Sequence, residues 1–139
     1  RADLELLRRH GVLGAAAPDG LMPPLAAEKV MAVVEAGAST RMPEDGIAPR
    51  FEVGDAVIAR NINPTGHTRL PRYARGKHGI IHRNHGVFSF ADSNARGDGP
   101  CPQHVYCVAF TAAELWGEGN AKDKIHLDLW DAYLDHAQA

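Results

Sequence analysis

The sequence predicts a mainly β domain, a small barrel or sandwich, preceded by a short helical arm. Helix-forming runs occupy the first third of the chain, whereas short β-branched and aromatic runs separated by Gly, Pro and Asn fill the rest. Residues 40–50, with two prolines and a Glu-Asp-Gly turn, have the composition of a linker. A chain of 139 residues with 45% hydrophobic side chains can bury one core. We therefore expect a helical arm and linker over residues 1–48 and a barrel domain over residues 49–139.

Two helices are expected in the arm. Residues 2–13, "ADLELLRRHGVL", place their leucines near a 3.6-residue period and have Gly11 as a stop signal. Residues 23–39, "PPLAAEKVMAVVEAGAS", begin with two prolines, continue through good helix formers and end near Gly37. Both segments are short, so the arm is expected to be a minor part of the fold.

Five strand-like runs follow the linker, at residues 50–60, 79–83, 86–92, 104–110 and 124–130. The loops between them include "NPTG" and "ARGDGPCP", whose residues favour turns. Residues 111–117, "TAAELWG", predict one helical turn capped by Thr111, with Glu114 completing a capping box. Several short strands with such turns are typical of small barrels and sandwiches.

A basic segment, "GHTRLPRYARGKHG" at residues 66–79, raises the question of which anionic group it binds. No Asp or Glu occurs between residues 55 and 92, so Arg69, Arg72 and Arg75 have no acidic neighbour in sequence. Pro71 removes a backbone donor and predicts a loop rather than a strand. An arginine fork can give two parallel hydrogen bonds to a carboxylate, phosphate or sulfur oxyanion. The alternative is that these arginines pair with the acidic C-terminal residues or face water.

The net charge of −2 and the isoelectric point near 6.5 argue against a dedicated nucleic-acid-binding protein. The turn "RGKHGII" is nevertheless similar to a basic turn in SH3-like modules of the KOW type, which bind nucleic acid. A nucleic-acid-binding module therefore stays open as an alternative.

No metal site is predicted on this chain. Strand alternation places His78 and His82 on one face and His85 on the other, so these histidines do not converge. The two cysteines, Cys101 and Cys107, are too few for a disulfide framework, and Cys107 lies in an apolar run that predicts a core position. A reducing cytoplasm is the expected compartment, and no apolar run is long enough to span a bilayer.

Catalytic motifs that one chain could complete alone do not occur in the sequence. It contains no Gly-x-Ser-x-Gly elbow and no phosphate-binding glycine loop before a helix. The chain is therefore not expected to be a self-sufficient enzyme.

From Phe51 onward, the sequence resembles the C-terminal half of the nitrile hydratase β subunit. The matching pieces are "FEVGDAVIARN", "GHTRLPRYARGKHGII", "FADSNARGDG", "HVYCVAFTAAELWG" and "LDLWDAYLDHA", in the family's order and at near-family spacing. The resemblance implies an SH3-like barrel in a hetero-oligomeric lyase that hydrates nitriles to amides. It also implies that cobalt or iron lies in a partner α subunit, in a Cys-x-x-Cys-Ser-Cys claw with oxidised cysteines, and that this chain binds no cofactor.

The same resemblance implies roles for residues of the basic segment. Arg69, in the family's Gly-His-x-Arg motif, is expected to donate hydrogen bonds to the oxidised cysteines of the claw. His67, Arg72, Tyr73 and Arg75 are expected to lie beside it or at the subunit interface.

A full-length β subunit has a longer helical N-terminal half that carries a second claw-contacting arginine. A third subunit is therefore expected to supply that half, as in toyocamycin nitrile hydratase and thiocyanate hydrolase, where β is split. A thiocyanate hydrolase-type subunit and a helper protein for metal insertion are the alternatives that the resemblance leaves open.

Overall fold

The computed structural model describes residues 25–37, 39–120 and 122–137. The chain divides into two compact units, Arg1–Ala38 and Ser39–Ala139. The helix predicted at residues 2–13 lies outside the described residues. No helix in the described ranges is both long and apolar enough to cross a membrane.

Helix α1, Ala27–Ala36, lies in the first unit and confirms the second predicted helix. It ends at Gly37, whose φ of 64° is in the region that favours glycine, and whose N–H donates to the carbonyl of Val33 at 3.1 Å. None of its residues is buried.

The second unit is an antiparallel five-stranded sheet in the order β4-β3-β2-β1-β5. The strands are β1 (Ala56–Ala59), β2 (His78–Phe88), β3 (Gln103–Thr111), β4 (Lys124–Trp130) and β5 (Leu134–His136). Helices α2 (Ala91–Arg96) and α3 (Ala112–Trp116) and 3₁₀ turns at Arg72–Ala74 and Asp131–Tyr133 connect them. The predicted mainly β class is confirmed. The sheet is open, because the edge strands β4 and β5 are not paired with each other in the described part of the chain.

Two of the predicted strands are a single strand. The runs at residues 79–83 and at the start of 86–92 form β2 together, because two register shifts against β3 let the strand continue through polar residues. These shifts lie between Ile81 and Arg83 and between Asn84 and Val87. The end of the second run is α2 rather than strand, and β5 was not predicted.

The predicted helical turn after β3 is confirmed, but the capping box is only half formed. The Oγ1 atom of Thr111 accepts a hydrogen bond from the N–H of Glu114 at 3.1 Å. The carboxylate of Glu114 accepts instead from the N–H of His78 at 2.9 Å. This residue therefore ties α3 to the first residue of β2.

The core is built around aromatic side chains. Its largest fully buried members are Phe51, Tyr106, Phe110 and Tyr133. On β4, Leu129 is buried in this core, whereas the alternate residues Lys124, His126 and Asp128 are exposed. Burial of one large apolar side chain contributes about 1.5–3 kcal/mol, so these residues dominate the stability of the unit.

We expect Gly79→Ala to destabilise the protein, because a Cβ at this position in β2 meets Val108 Cγ1 at 2.6 Å and Phe110 Cε1 at 3.0 Å. Overpacking of a core costs about 1–3 kcal/mol, measurable by urea unfolding. Gly66→Ala is the matched control, since nothing lies within 4 Å of its added Cβ. Equal stability of the two variants would contradict this packing.

Candidate functional site

The basic segment is a loop, as predicted, and two buried apolar residues fix it to the core. Leu70, which precedes the 3₁₀ turn Arg72–Ala74, is 1% exposed, and Ala74, which ends it, is completely buried. With these two residues inside, the side chains of Arg69, Arg72 and Tyr73 lie at the surface. The loop therefore presents cations from a rigid base.

The backbone of Arg69 is held by the hydroxyl of Tyr133. This hydroxyl accepts hydrogen bonds from the N–H of Arg69 at 3.0 Å and from Oγ1 of Thr68 at 3.2 Å. It donates its own proton to the buried carboxylate of Asp92. Burial, with the nearby Asp92 carboxylate, raises the pKa of Tyr133 to about 12, so the hydroxyl keeps its proton at neutral pH.

The guanidinium of Arg69 lies over the indole of Trp130, with 5.5 Å between its Cζ atom and the ring centroid. This is a cation–π distance, and it orients the charge without neutralising it. Both side chains line an open cavity of about 260 Å³, together with His85 and Asp128. Asp128 is engaged by His85, whose Nε2 atom is 2.9 Å from its Oδ1 atom.

The other predicted site residues do not all behave alike. Arg75 is half-buried and donates to Asn63 Oδ1 at 2.7 Å and to the carbonyl of Leu70 at 3.1 Å, so it shapes the loop. Arg72 and His67 are exposed and have no hydrogen bond or ion pair from their side chains to any described residue. The 45% exposed ring of Tyr73 lies 6.3 Å from that of Trp116.

The acidic C-terminal residues pair with arginines outside this loop. Arg50 lies 3.3 Å from Asp131, and Arg60 lies 3.3 Å from Asp135. Within the described ranges, no carboxylate lies within 4.0 Å of the Arg69 guanidinium. The alternative that the C-terminal acids neutralise the basic segment therefore does not hold for Arg69.

Sequence reasoning did not single out three residues that build the site: Trp130, Tyr133 and Asp92. Asp92 and Tyr133 are 41 positions apart, and only the folded sheet brings them together. The sequence does show two aromatic residues, Trp130 and Tyr133, near the C-terminus. This pattern indicates a packed strand end, but it does not reveal that Asp92 is the partner of Tyr133.

Residues 39–136 match a family model described as "Nitrile hydratase beta subunit, C-terminal". The chain is 36% identical over 141 residues to the cobalt-containing nitrile hydratase subunit beta of Pseudonocardia thermophila, covering 97% of this chain and 60% of that protein. It is 51% identical over 89 residues to the nitrile hydratase subunit beta of Pseudomonas putida, covering 63% of this chain and 41% of that protein.

A solved structure of thiocyanate hydrolase from Thiobacillus thioparus, a recombinant apo-enzyme, is also similar. The TM-score is 0.65 at 26% sequence identity, and the match covers 83% of this chain and 100% of that one. The chain spans about half the length of the curated relatives it matches.

We expect Tyr133→Phe to lower the free energy of unfolding by about 1–3 kcal/mol, because it leaves the buried Asp92 carboxylate without its donor. Urea unfolding measures this loss. Tyr73→Phe is the control, because its side chain is 45% exposed and its hydroxyl bonds to none of the described residues. Equal losses in the two variants would contradict the assigned network.

The raised pKa of Tyr133 also predicts how stability depends on alkaline pH. The folded protein holds this proton up to about pH 12, whereas the unfolded chain releases it near pH 10. The stabilisation is therefore complete below pH 10 and is lost as pH rises toward 12. We expect the stability difference between wild type and Tyr133→Phe to be smaller at about pH 11 than at about pH 9. A constant difference would show that Tyr133 titrates normally.

Proposed function

Because the chain belongs to the family defined by the C-terminal domain of nitrile hydratase β subunits, we propose that it forms the non-metal-binding part of an enzyme that hydrates nitriles to amides. The observation that carries the proposal is the Arg69 guanidinium, which is exposed, held from behind by Trp130 and unpaired with any described carboxylate. A cation fixed in this way suits an anion supplied by another chain.

The proposed anion is the metal claw of a partner α subunit. This chain has two cysteines, so it cannot by itself form a Cys-x-x-Cys-Ser-Cys sequence. The Pseudonocardia thermophila relative is cobalt-containing, which supports cobalt as the metal of the complete enzyme. When bound in the partner, such a metal supplies Lewis-acid polarisation of the nitrile or of water.

Arg69 acts in this proposal as a hydrogen-bond donor to the oxidised cysteines of the claw. An anionic centre removed from water at an interface must be paired, and a guanidinium stays charged while offering two parallel donors. The Tyr133 hydroxyl fixes the backbone position of Arg69, and Trp130 supports its side chain. Both contacts reduce the freedom that the arginine loses when it meets its anion.

The residues around Arg69 have two kinds of role in the same proposal, contact with the partner subunit and support of the loop. Arg72, Tyr73 and His67 are exposed around Arg69 and contact the partner subunit. Arg75 keeps the loop in shape through its bonds to Asn63 and Leu70. This sequence does not cover a whole β subunit. The remainder, including a second claw-contacting arginine, is supplied by a third subunit or by a further part of the same chain.

Thiocyanate hydrolysis is the second candidate, favoured by the match to the whole of one Thiobacillus thioparus chain. The higher identity of 51% to a nitrile hydratase β subunit, against 26% for that chain, makes nitrile hydration the first choice. Assays of the assembled enzyme with an aliphatic nitrile and with thiocyanate separate the two.

We expect Arg69→Lys to lower kcat/KM of the assembled enzyme by about 10–100-fold, because an ammonium cannot reproduce the two parallel hydrogen bonds of a guanidinium. Stability and subunit assembly should not change, since the Arg69 side chain is exposed. Arg96→Lys is the control, an exposed arginine on α2 that pairs with Asp98. Full activity of Arg69→Lys, with nitrile and thiocyanate alike, would remove Arg69 from the site.

A further inference from the structure

Three potential metal ligands of different chemistry meet on one face of the sheet. His85, Cys107 and Asp128 come from the adjacent strands β2, β3 and β4, and their ligand atoms all lie within 4.8 Å of one another. We propose that these three side chains bind a divalent transition-metal cation of the Zn²⁺ or Co²⁺ type. The proposal does not depend on the proposed function, since it concerns only side chains of this chain.

The strand register places two of the ligands. Cys107 and Asp128 are directly opposite each other in the pairing of β3 with β4, and such pairs have Cβ atoms about 4.5–5.5 Å apart. The two side chains therefore project from the same face of the sheet at a fixed separation.

The third ligand depends on a bulge. Simple alternation places His85 on the face away from His82, but the register of β2 against β3 shifts between Ile81 and Arg83, and Arg83 then pairs with Cys107. From Arg83 onward, alternation puts His85 on the same face as Cys107, whose partner in β4 is Asp128. His85 lies beside Asp128 on this face, with 2.9 Å between Nε2 and Oδ1.

The ligand set matches the preferences of these ions. Imidazole, thiolate and carboxylate bind Zn²⁺ at about 2.0–2.3 Å, which places neighbouring tetrahedral ligands roughly 3.3–3.8 Å apart. The His85–Asp128 contact is shorter than this, so a small rotation of the exposed Asp128 side chain admits the ion. His85 and Asp128 also line the open cavity, which gives these two ligands access to solvent.

Charge and protons also balance. Burial raises the pKa of the Cys107 thiol, and the nearby Asp128 carboxylate raises it further. Binding forms a metal–sulfur bond and releases the thiol proton to solvent, so thiolate and carboxylate together offset the two positive charges. Two guanidinium groups lie close by and oppose the cation: Arg83 acts on the thiol, and Arg69 lines the same cavity.

The test is a titration of the metal-free full chain with Co²⁺ alone, followed by visible and near-ultraviolet absorption. One equivalent should produce tetrahedral d–d bands with a thiolate-to-cobalt charge-transfer band, and Zn²⁺ should displace both. Cys107→Ser should lose the charge-transfer band and weaken binding about tenfold or more. Cys101→Ser is the matched control, because it removes the exposed loop thiol and should keep the full spectrum.

Circular dichroism and thermal unfolding of the metal-free variants establish that the spectral losses do not reflect unfolding. If Cys107→Ser fails to fold, Asp128→Asn replaces it, since this side chain is 64% exposed on an edge strand. That variant should also lose the tetrahedral bands. The proposal is overturned if wild type gives no such spectrum at one equivalent. It is equally overturned if the charge-transfer band survives Cys107→Ser or disappears in Cys101→Ser.

Discussion

A buried hydrogen bond from the Tyr133 hydroxyl to the Asp92 carboxylate connects three segments that are far apart in sequence. Tyr133 ends the 3₁₀ turn before β5, Asp92 begins the α2 region, and Thr68 and Arg69 bond to the same hydroxyl from the basic loop. Burying the Asp92 carboxylate costs free energy unless its hydrogen-bond donor is present. The position of the basic loop therefore depends on the packing of Tyr133 in the core.

The distribution of carboxylates decides which of these cations can act on another molecule. The C-terminal acids pair with Arg50 and Arg60, and Asp128 pairs with His85. Arg69 keeps its charge on the face of Trp130, where an aromatic ring positions a guanidinium without cancelling it. The net charge of −2 therefore hides a local positive charge at the Arg69 guanidinium. Such a group suits a chain that belongs to a family of enzyme subunits.

The Arg69 guanidinium lies close to the three side chains of the proposed metal site. His85, Asp128 and Arg69 line the same cavity. Cys107 lies on β3, between the strands that carry His85 and Asp128. The register shift between Ile81 and Arg83 creates the arrangement, and bulges of this kind re-aim side chains that regular pleating would separate. Two of the proposed metal ligands therefore share a cavity with the Arg69 guanidinium.

The sequence alone determined the β class, helix α1 and the Thr111 cap, because each rests on residues that are neighbours along the chain. It did not determine the open sheet, the continuous β2 or the unpredicted β5. Nor did it reveal that Trp130 and Tyr133 support Arg69. Only the tertiary structure decided these features. Strand register and bulges are set by packing between distant segments, and a shift of one residue moves a side chain to the opposite face.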